Sequence, residues 1–325
     1  MKNIVIIGGG TGTFTLLSGL RKFPTNNSVI VSTADDGGST GRLVKELGVV
    51  PPGDIRQCLV GLSYTDETLR DLFSYRFETG SLKGHALGNI IISALEKITG
   101  SVESAIAEAG KLLNVRGSVV PVTLFATKLS AMLKNGKKIV GEHNLDERHQ
   151  QGLVPIRKLS LAPDFPANPA ALKLIADADL IILGPGDLFT STLPNLVVKG
   201  VAQALKKSKA EKVLVTNIMT KFGQTDAFGA NDFVKTVEQY LGKEVLDLVI
   251  VNTKRPAKGW LVRYRKEKSE FVNPNIDLIK VNGIRVIAGS FLSDQVFKKN
   301  PADALNRSHL RHDSDKLAKV IYENI

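Results

Sequence analysis

The sequence predicts an α/β protein with a doubly wound, mostly parallel sheet and a small β-rich insertion. Short runs rich in valine, isoleucine and leucine recur along the chain, as in strands that are buried on both faces. Most of these runs are followed by a loop with glycine or polar residues and then by a helical pattern, which is the alternation of a parallel sheet. Residues 117–162 interrupt it with strand and hairpin patterns. We therefore expect one Rossmann-like domain over residues 1–325, with the insertion at about 117–162.

The composition excludes several classes of protein. Of the 325 residues, 43% are hydrophobic and 23% are charged, as in an ordinary globular protein. No apolar run has the roughly 18 residues of a membrane-spanning helix, and the N-terminus lacks the pattern of a signal peptide. A single cysteine, Cys58, excludes an intrachain disulfide framework and a cysteine-based zinc site. These features predict a cytoplasmic protein without a membrane partner.

The first predicted strand leads into a glycine-rich loop. Residues 4–7 form an unbroken β-branched run, residues 8–13 read Gly-Gly-Gly-Thr-Gly-Thr, and a helical pattern follows. Such a loop directs free backbone N–H groups and a helix dipole at one point, which favours an anion and most often a phosphate. The candidates for this contact are Gly9, Gly10, Thr11 and Gly12. Thr13 takes the place of the last glycine of the dinucleotide pattern, so an NAD site is not predicted. A tight turn without a ligand is the alternative interpretation.

Two acidic residues follow the second predicted strand, which covers residues 28–34. Asp35 and Asp36 begin a run that continues with two glycines. In a doubly wound sheet the carboxyl ends of the strands face one ligand site, so both carboxylates are expected beside the anion site. They are candidates to hold a divalent metal such as Mg²⁺, to orient a sugar or ribose hydroxyl, or to act as a base. The alternative is that Asp36 only caps the next turn.

Polar residues also stand at predicted helix starts. Arg56 lies in a first helical turn, where a cation opposes the helix dipole, so it is a candidate anion clamp. Asp54 is expected to be the N-cap of the same helix. His85 stands beside two glycines and is either a ligand contact or a helix-entry residue. Arg311 precedes the last predicted helix and is a candidate phosphate contact, whereas Asp313 is expected to cap that helix.

A second glycine loop and two asparagines are expected at the same edge of the sheet. A Gly-Pro-Gly run from Gly184 to Gly186 follows a buried strand, which makes both glycines candidates for a second anion or sugar contact. Asn217 and Asn252 each end a predicted strand, and their neutral amides suit recognition of a base or a ribose.

Within the insertion, residues 119–124 and 158–161 are predicted as strands and residues 129–140 as a hairpin. The turn of the hairpin is predicted at Asn135 and Gly136. We expect this part to form a small subdomain at the side of the sheet, with a structural or oligomer-forming role. The apolar strand and helix content makes a homodimer one expectation for the protein.

The net charge of the chain is +11, and its densest basic patch runs from Lys254 to Lys268. Seven of the residues in this patch are basic against one acid, Glu267, and they surround Trp260 and Tyr264. The patch suits a polyanion, so nucleic-acid binding is one hypothesis. A solvated hairpin face is the alternative that we favour.

Six blocks of the sequence together resemble the YvcK-type gluconeogenesis factors (UPF0052). The blocks stand in the order of the family and span most of the chain: residues 6–12, 34–43, 51–56, 84–89, 184–191 and 311–313. The family is a branch of the superfamily that includes 2-phospho-L-lactate transferase (CofD) of coenzyme F420 synthesis. Asp187 and residues 221–224 depart from the family pattern.

The resemblance implies a Rossmann-like fold, a cytoplasmic location and binding of a UDP-activated sugar such as UDP-N-acetylglucosamine. It also implies a regulator of cell shape and cell-wall metabolism during gluconeogenic growth, whose protein partner is not identified. Among the ligand contacts that it implies, Arg311 would contact the diphosphate or the sugar. The other implied or candidate contacts are Gly9, Gly10, Thr11, Gly12, Asp35, Asp36, Arg56, His85, Asn89, Gly184, Gly186 and Asn217.

The superfamily also suggests a second function, a metal-dependent transferase that moves a phospholactyl-nucleotide moiety to a deazaflavin. Asp35 and Asp36 would then hold the metal. The chain carries one Trp and five Tyr, which is few for a site that holds a flavin-like ring, and residues 35–42 resemble the gluconeogenesis-factor branch. We therefore favour a binding regulator over an enzyme.

Overall fold

A seven-stranded parallel sheet organises the chain in the computed structural model, which describes residues 1–148, 154–280, 283–295, 297 and 308–324. The strands are β1 (Asn3–Ile7), β2 (Asn26–Val31), β3 (Ser118–Pro121), β4 (Lys128–Leu133), β5 (Lys138–Val140), β6 (Ile156–Ala162), β7 (Leu180–Leu183), β8 (Glu211–Val215), β9 (Leu248–Asn252) and β10 (Arg285–Gly289).

Helices cover both faces of the sheet. They are α1 (Gly10–Leu20), α2 (Gly38–Leu47), α3 (Pro52–Leu62), α4 (Glu67–Ser74), α5 (Leu87–Thr99), α6 (Val102–Leu112), α7 (Glu142–Asp146), α8 (Pro169–Asp177), α9 (Leu193–Leu196), α10 (Val201–Lys207), α11 (Ala230–Leu241), α12 (Lys258–Lys266), α13 (Ile276–Lys280) and α14 (Ser314–Glu323). A π-helical turn (Leu188–Thr192) precedes α9.

The strand order confirms the predicted doubly wound topology. The sheet reads β10-β9-β8-β7-β1-β2-β3, and every pairing within it is parallel. From β1 the chain moves outward to β2 and β3, and later returns to β7 on the other side of β1. The order therefore reverses between β1 and β7, and ligands of such sheets bind in the crevice outside the carboxyl ends at this point.

The first strand shows why the sheet is buried on both faces. Val5 and Ile7 belong to the apolar core on one face, whereas Ile4 and Ile6 belong to the core on the other face. All four side chains are at most 2% exposed. Successive side chains of a strand point to opposite faces, so a strand between two helical layers needs an unbroken apolar run.

Helix ends follow local signals in several places. Asn168 accepts a hydrogen bond from the N–H of Ala170 (2.8 Å) and caps α8. The predicted cap at Asp313 is confirmed, since its carboxylate accepts hydrogen bonds from the N–H groups of Asp315 (3.1 Å) and Lys316 (3.0 Å) at the start of α14. These side chains satisfy N–H groups that have no partner within the helix.

The insertion is smaller than expected. The hairpin is confirmed as β4 and β5, and these strands form a separate three-stranded antiparallel sheet in the order β5-β4-β6. The segment 119–124 was expected to belong to it, but β3 pairs with β2 at the edge of the main sheet instead. The separate sheet therefore begins at β4.

The basic segment was expected to form a hairpin, and this prediction is wrong, because α12 occupies most of it. Its basic side chains Arg263, Arg265 and Lys266 lie in the last turn, where cations are favourable to the helix dipole. Of the residues that the structure describes, none lie in a helix long and apolar enough to span a membrane.

Candidate functional site

A cavity of about 560 Å³ opens where the strand order reverses. Its walls come from the loops after β1, β2, β7 and β8, from the starts of α2 and α3, and from α7 of the insertion. The end of α12 and residues 308–312 close one side of the cavity. The site is therefore assembled from segments that are far apart in the sequence.

The glycine loop after β1 is held between two other walls of the cavity. A Cβ atom on Gly9 would lie 1.8 Å from Asp54 Oδ2, and a Cβ atom on Gly12 would lie 2.3 Å from the carbonyl oxygen of Pro185. Gly10 has φ +70°, which disfavours any other residue. Glycine is thus required here by close approach as well as by conformation, and the loop exposes its backbone to the cavity at the start of α1.

Among the acidic residues that line the cavity, in addition to the effect of burial, Asp54 raises the pKa of Asp35, and Asp35 and Asp54 both raise the pKa of Glu142. Burial raises the pKa of Asp35 to about 7, and the nearby charge of Asp54 acts in the same direction. The N–H of Gly37 donates to Asp35 Oδ1 (2.9 Å) and partly opposes this rise. Burial likewise raises the pKa of Glu142 well above its usual value, with Asp35 as the next cause. Like charges in one low-dielectric site do not all ionise, so this cluster retains protons at neutral pH.

The neighbouring Asp36 has a different role from Asp35. Its Oδ1 accepts the N–H of His143 (2.9 Å) at the start of α7, and a Cβ atom on Gly141 would lie 2.8 Å from its Oδ2. The two carboxylates therefore do not converge on one cation. In the part of the chain that the structure describes, no group of three or more His, Cys, Asp or Glu side chains is arranged to hold a metal ion. The predicted Mg²⁺ thus has no preformed site among these residues.

A half-buried lysine joins three walls of the cavity. Lys221 Nζ donates to Asp146 Oδ1 (2.7 Å) on α7 and to Asp187 Oδ2 (2.6 Å) in the loop after β7. Gln224 Nε2 also donates to Asp146 Oδ1 (2.7 Å). Burial acts to lower the pKa of Lys221, but the two carboxylates outweigh it and the pKa is raised. Asp187 and Lys221 both depart from the family pattern, and here they are partners in one ion pair.

A second polar group lines the opposite wall, next to α2, α3 and α5. Arg56 Nε donates to Asn89 Oδ1 (2.8 Å), and Asn89 Nδ2 donates to Ser39 Oγ (3.4 Å). Ser39 Oγ also lies 3.0 Å from Nδ1 of His85. All four side chains are buried, and these contacts connect three helix starts into one wall.

Arg311 lines the cavity from the segment before α14. Its guanidinium lies 4.2 Å from the ring centroid of Phe297, and its Nε donates to the carbonyl oxygen of Ser308 (3.5 Å). The next residue, His312, is buried, and burial lowers its pKa to about 4, although a hydrogen bond with the backbone of Thr216 raises it slightly. His312 is therefore uncharged at neutral pH, and Arg311 supplies positive charge here.

The segment that carries Arg311 is fixed by Tyr264 of α12. The phenol oxygen accepts the N–H groups of His309 (3.1 Å) and Leu310 (3.2 Å) and lies 2.9 Å from Ser308 Oγ. Tyr264 also lines the cavity. One side chain thus ties the basic helix to the backbone next to Arg311.

We expect Tyr264→Phe to lower the free energy of unfolding by about 1–3 kcal/mol, because two backbone N–H groups lose their acceptor. Chemical denaturation monitored by circular dichroism measures the change. Tyr322→Phe is the matched control, since the ring of Tyr322 packs 4.8 Å from Phe23 at the surface. Equal stabilities of the two variants would show that the phenol oxygen does not hold the segment.

Comparison with known proteins identifies the family. The family model described as 2-phospho-L-lactate transferase CofD matches residues 4–292. The chain belongs to the CofD family. Within it, the chain is 38% identical over 323 residues to the gluconeogenesis factor of Bacillus subtilis, covering 98% of this chain and 97% of that protein. The gluconeogenesis factor of Listeria innocua is 36% identical over 325 residues, covering 98% and 94% of the two chains. These relatives confirm the gluconeogenesis-factor branch.

A solved structure supports the same assignment. The crystal structure of a UPF0052 family member from Bacillus halodurans superposes with a TM-score of 0.91 at 37% identity, covering 99% of both chains. The predicted α/β fold and the predicted family are therefore both confirmed.

In this CofD-family fold, most of the predicted site residues surround one cavity. Those that line it are Gly9, Gly10, Thr11, Gly12, Asp35, Arg56, Asn89, Gly186, Asn217 and Arg311. Three others do not line the cavity but contact residues that do: Asp36 contacts His143, His85 contacts Ser39, and Gly184 lies next to Gly186. That these residues bind a ligand stays a prediction.

Two expectations about individual residues are wrong. Asp54 does not cap α3, because the helix already begins at Pro52 and the carboxylate faces Gly9. Asn252 does not face a ligand, because its Oδ1 accepts the N–H groups of Phe291 and Leu292 (both 3.0 Å). Its amide is therefore occupied by the backbone.

Sequence reasoning also missed several residues of the site. Glu142, Asp146, Lys221, Tyr264 and Ser39 all line the cavity. Glu142 and Asp146 belong to the insertion, for which only a structural role was expected. In the structure Gly141, with φ +99° and a close approach to Asp36, brings this part of the insertion to the sheet edge, and the sequence shows no signal of that contact beyond the glycine itself.

Proposed function

We propose that this CofD-family protein binds a nucleotide sugar of the UDP-N-acetylglucosamine type and acts in the cytoplasm as a regulator. Its output would be the control of cell shape and cell-wall metabolism during gluconeogenic growth, through a protein partner that reads the bound state. One observation carries the proposal: two glycine loops line the same cavity, at the point where the strand order of the sheet reverses. The names of the relatives from Bacillus subtilis and Listeria innocua support the link to gluconeogenesis.

The size and lining of the cavity support a nucleotide sugar. A volume of about 560 Å³ lies within the roughly 300–1,000 Å³ of small-molecule sites. The glycine loop and the start of α1 offer backbone N–H groups for phosphate oxygens, and Arg311 offers a guanidinium for the same group. Asn217 provides a neutral amide at the end of β8, which suits a base or ribose.

The carboxyl groups of the cavity favour a ligand that also carries a sugar. Asp54 lies beside the glycine loop and Glu142 lines the same cavity, where a ligand with phosphates alone would be repelled by any ionised carboxylate. Carboxylates accept hydrogen bonds from hydroxyl groups, and protonated carboxyls can also donate. A sugar next to the diphosphate would offer hydroxyl groups to these carboxyls and would keep the phosphates away from them.

The test is a thermal shift with UDP-N-acetylglucosamine. We expect the ligand to stabilise the protein by about 2.7 kcal/mol at 100 times its Kd, which raises the melting temperature. Arg311→Ala is expected to abolish the shift because it removes the cation beside the diphosphate. Arg157→Ala is the matched control, since Arg157 is exposed on β6 and loses the same charge. The proposal fails if millimolar ligand leaves the melting temperature of the unmodified protein unchanged.

The family assignment supports a second candidate, a CofD-type transferase. The observation in its favour is Asp35 in the cavity, whose pKa of about 7, raised by burial and by the nearby charge of Asp54, suits acid–base chemistry on an acceptor hydroxyl. This candidate predicts turnover of a nucleotide-activated phospholactate with a deazaflavin acceptor, lost in Asp35→Asn. Product formation measured by chromatography decides between turnover and binding alone.

The basic helix α12 leaves nucleic-acid binding as a third hypothesis, which predicts an affinity that falls steeply with salt.

A further inference from the structure

The buried polar chain along one cavity wall has a fixed direction of hydrogen bonding. Arg56 Nε can only donate, so the atom of Asn89 that faces it at 2.8 Å is the carbonyl oxygen Oδ1. The amide nitrogen Nδ2 then faces Ser39 Oγ at 3.4 Å and donates to it. Ser39 Oγ accepts this hydrogen bond with one of its two lone pairs, and Nδ1 of His85 lies 3.0 Å from the same oxygen.

Two tautomers of the histidine fit this contact. With the ring proton on Nε2, Nδ1 carries a lone pair that accepts the Ser39 proton, and a nucleophilic Ser39 requires this tautomer. Burial lowers the pKa of His85, and the charge of Arg42 lowers it further, so the ring is neutral at pH 7. The result is a serine hydroxyl hydrogen-bonded to a neutral imidazole, with Asn89 and Arg56 holding the serine oxygen in place. This is the arrangement of an activated nucleophile.

The position of Ser39 makes this arrangement relevant to the ligand. Ser39 lines the cavity, although it is only 6% exposed, and it lies in the first turn of the ten-residue helix α2. The dipole of that helix favours negative charge on Ser39 Oγ. The glycine loop, where the diphosphate is proposed to bind, lines the same cavity.

We propose that Ser39, activated by His85, attacks the diphosphate of the bound nucleotide sugar, which makes the protein a nucleotide-sugar hydrolase. The inference rests on the proposed function, because it needs the diphosphate in this cavity. Asn89 and Arg56 are positioning residues, since they act on the reaction through the orientation of Ser39.

The reaction has two balanced steps. In the first step Ser39 Oγ forms a bond to one phosphorus atom, and the bond from that phosphorus to the bridging oxygen breaks. The Ser39 proton passes to His85 Nδ1 and then to the leaving phosphate oxygen, which leaves a phosphodiester on Ser39. In the second step water attacks the same phosphorus, His85 takes the proton from the water, and Ser39 Oγ is released and reprotonated. The sum is nucleotide sugar plus water to nucleoside monophosphate plus sugar 1-phosphate.

The experiment incubates the full chain with UDP-N-acetylglucosamine and follows UMP by chromatography and the protein by intact mass. We expect release of UMP and N-acetylglucosamine 1-phosphate, with Ser39→Ala inactive and His85→Gln slower by about 10²–10⁴-fold, the usual contribution of a general base. Ser93→Ala on α5 is the matched control. Its hydroxyl is buried without a hydrogen-bond partner among the described residues and does not line the cavity.

Thermal shifts with the same ligand separate catalysis from binding. Ser39→Ala that keeps the shift and loses UMP release supports the inference. A shift in the unmodified protein without any UMP release overturns the inference and leaves the proposed function in place. Equal rates in the unmodified protein and Ser39→Ala also overturn it. The absence of both shift and release overturns the inference and the proposed function together.

Discussion

Gly12→Ala is expected to lower the free energy of unfolding by about 1–3 kcal/mol and to abolish the thermal shift with UDP-N-acetylglucosamine. The added Cβ would lie 2.3 Å from the carbonyl oxygen of Pro185, 2.8 Å from its carbonyl carbon and 3.2 Å from the N atom of Gly186. All three atoms belong to the backbone of the second glycine loop, so no side-chain rotation relieves the clash. The two loops must separate, and both line the cavity.

Gly110→Ala is the matched control because it introduces the same methyl group into another helix. The nearest atoms to a Cβ on Gly110 lie 3.8 Å away, which is ordinary contact. Alanine is favoured over glycine within a helix by up to about 1 kcal/mol, so this variant is expected to be slightly more stable and to bind normally. Urea denaturation measures the free energy of unfolding of both variants, and its change on addition of ligand reports binding. A Gly12→Ala protein as stable as Gly110→Ala would show that the two glycine loops are not in close contact.

The fold could be predicted because its signals are local. An unbroken apolar run such as residues 4–7 has to be buried on both faces, and the glycines that follow it mark a turn at the sheet edge. The alternation of strands and helices then predicts a parallel, doubly wound sheet. By contrast, β3 could not be assigned to the main sheet, since nothing in its sequence states which strand it pairs with.

The candidate site was only partly predictable, because the direction of a side chain depends on its tertiary neighbours. Asp35 and Asp36 are adjacent in the sequence, yet Asp35 faces the cavity and Asp36 binds the backbone of His143 on α7. Asn217 and Asn252 both follow or end buried strands, yet only Asn217 lines the cavity. In each pair, the side chain that does not line the cavity is bound by a segment more than thirty residues away in the chain. No local sequence pattern therefore distinguishes the two residues of a pair.

A large pH dependence of the free energy of unfolding is expected to come from Asp35. Its pKa is about 7 in the folded protein against 3.8 for an ordinary aspartate. Below pH 3.8 the carboxyl is protonated in both the folded and the unfolded chain. As the pH rises, the unfolded chain releases the proton first, so the folded state loses stability until about pH 7 and no further above it. The loss amounts to at most about 4 kcal/mol.

Asp35→Asn removes this titration while keeping the size of the side chain. We expect the variant to match the unmodified protein near pH 4 and to be more stable at pH 8, by up to about 4 kcal/mol. Chemical denaturation at pH 4, 5, 6, 7 and 8 gives the difference between the two proteins, in which the contributions of distant groups cancel. Asp71→Asn is the matched control, since Asp71 is exposed on α4. A constant difference between Asp35→Asn and the unmodified protein at all pH values would contradict the prediction.

The titration of Asp35 should also change the affinity for the ligand, because Asp35 lines the same cavity as the glycine loop. A neutral carboxyl does not repel a diphosphate, whereas an ionised one does, so UDP-N-acetylglucosamine is expected to bind more tightly at pH 6 than at pH 8. Besides burial, the charge of Asp35 raises the pKa of Glu142, so the midpoint of the binding curve belongs to the group and not to Asp35 alone. Isothermal titration calorimetry at the two pH values measures the change. In Asp35→Asn the dependence of affinity on pH should become weaker, because one titrating carboxyl is removed while burial still raises the pKa of Glu142. A variant that kept the full dependence would assign it to other groups.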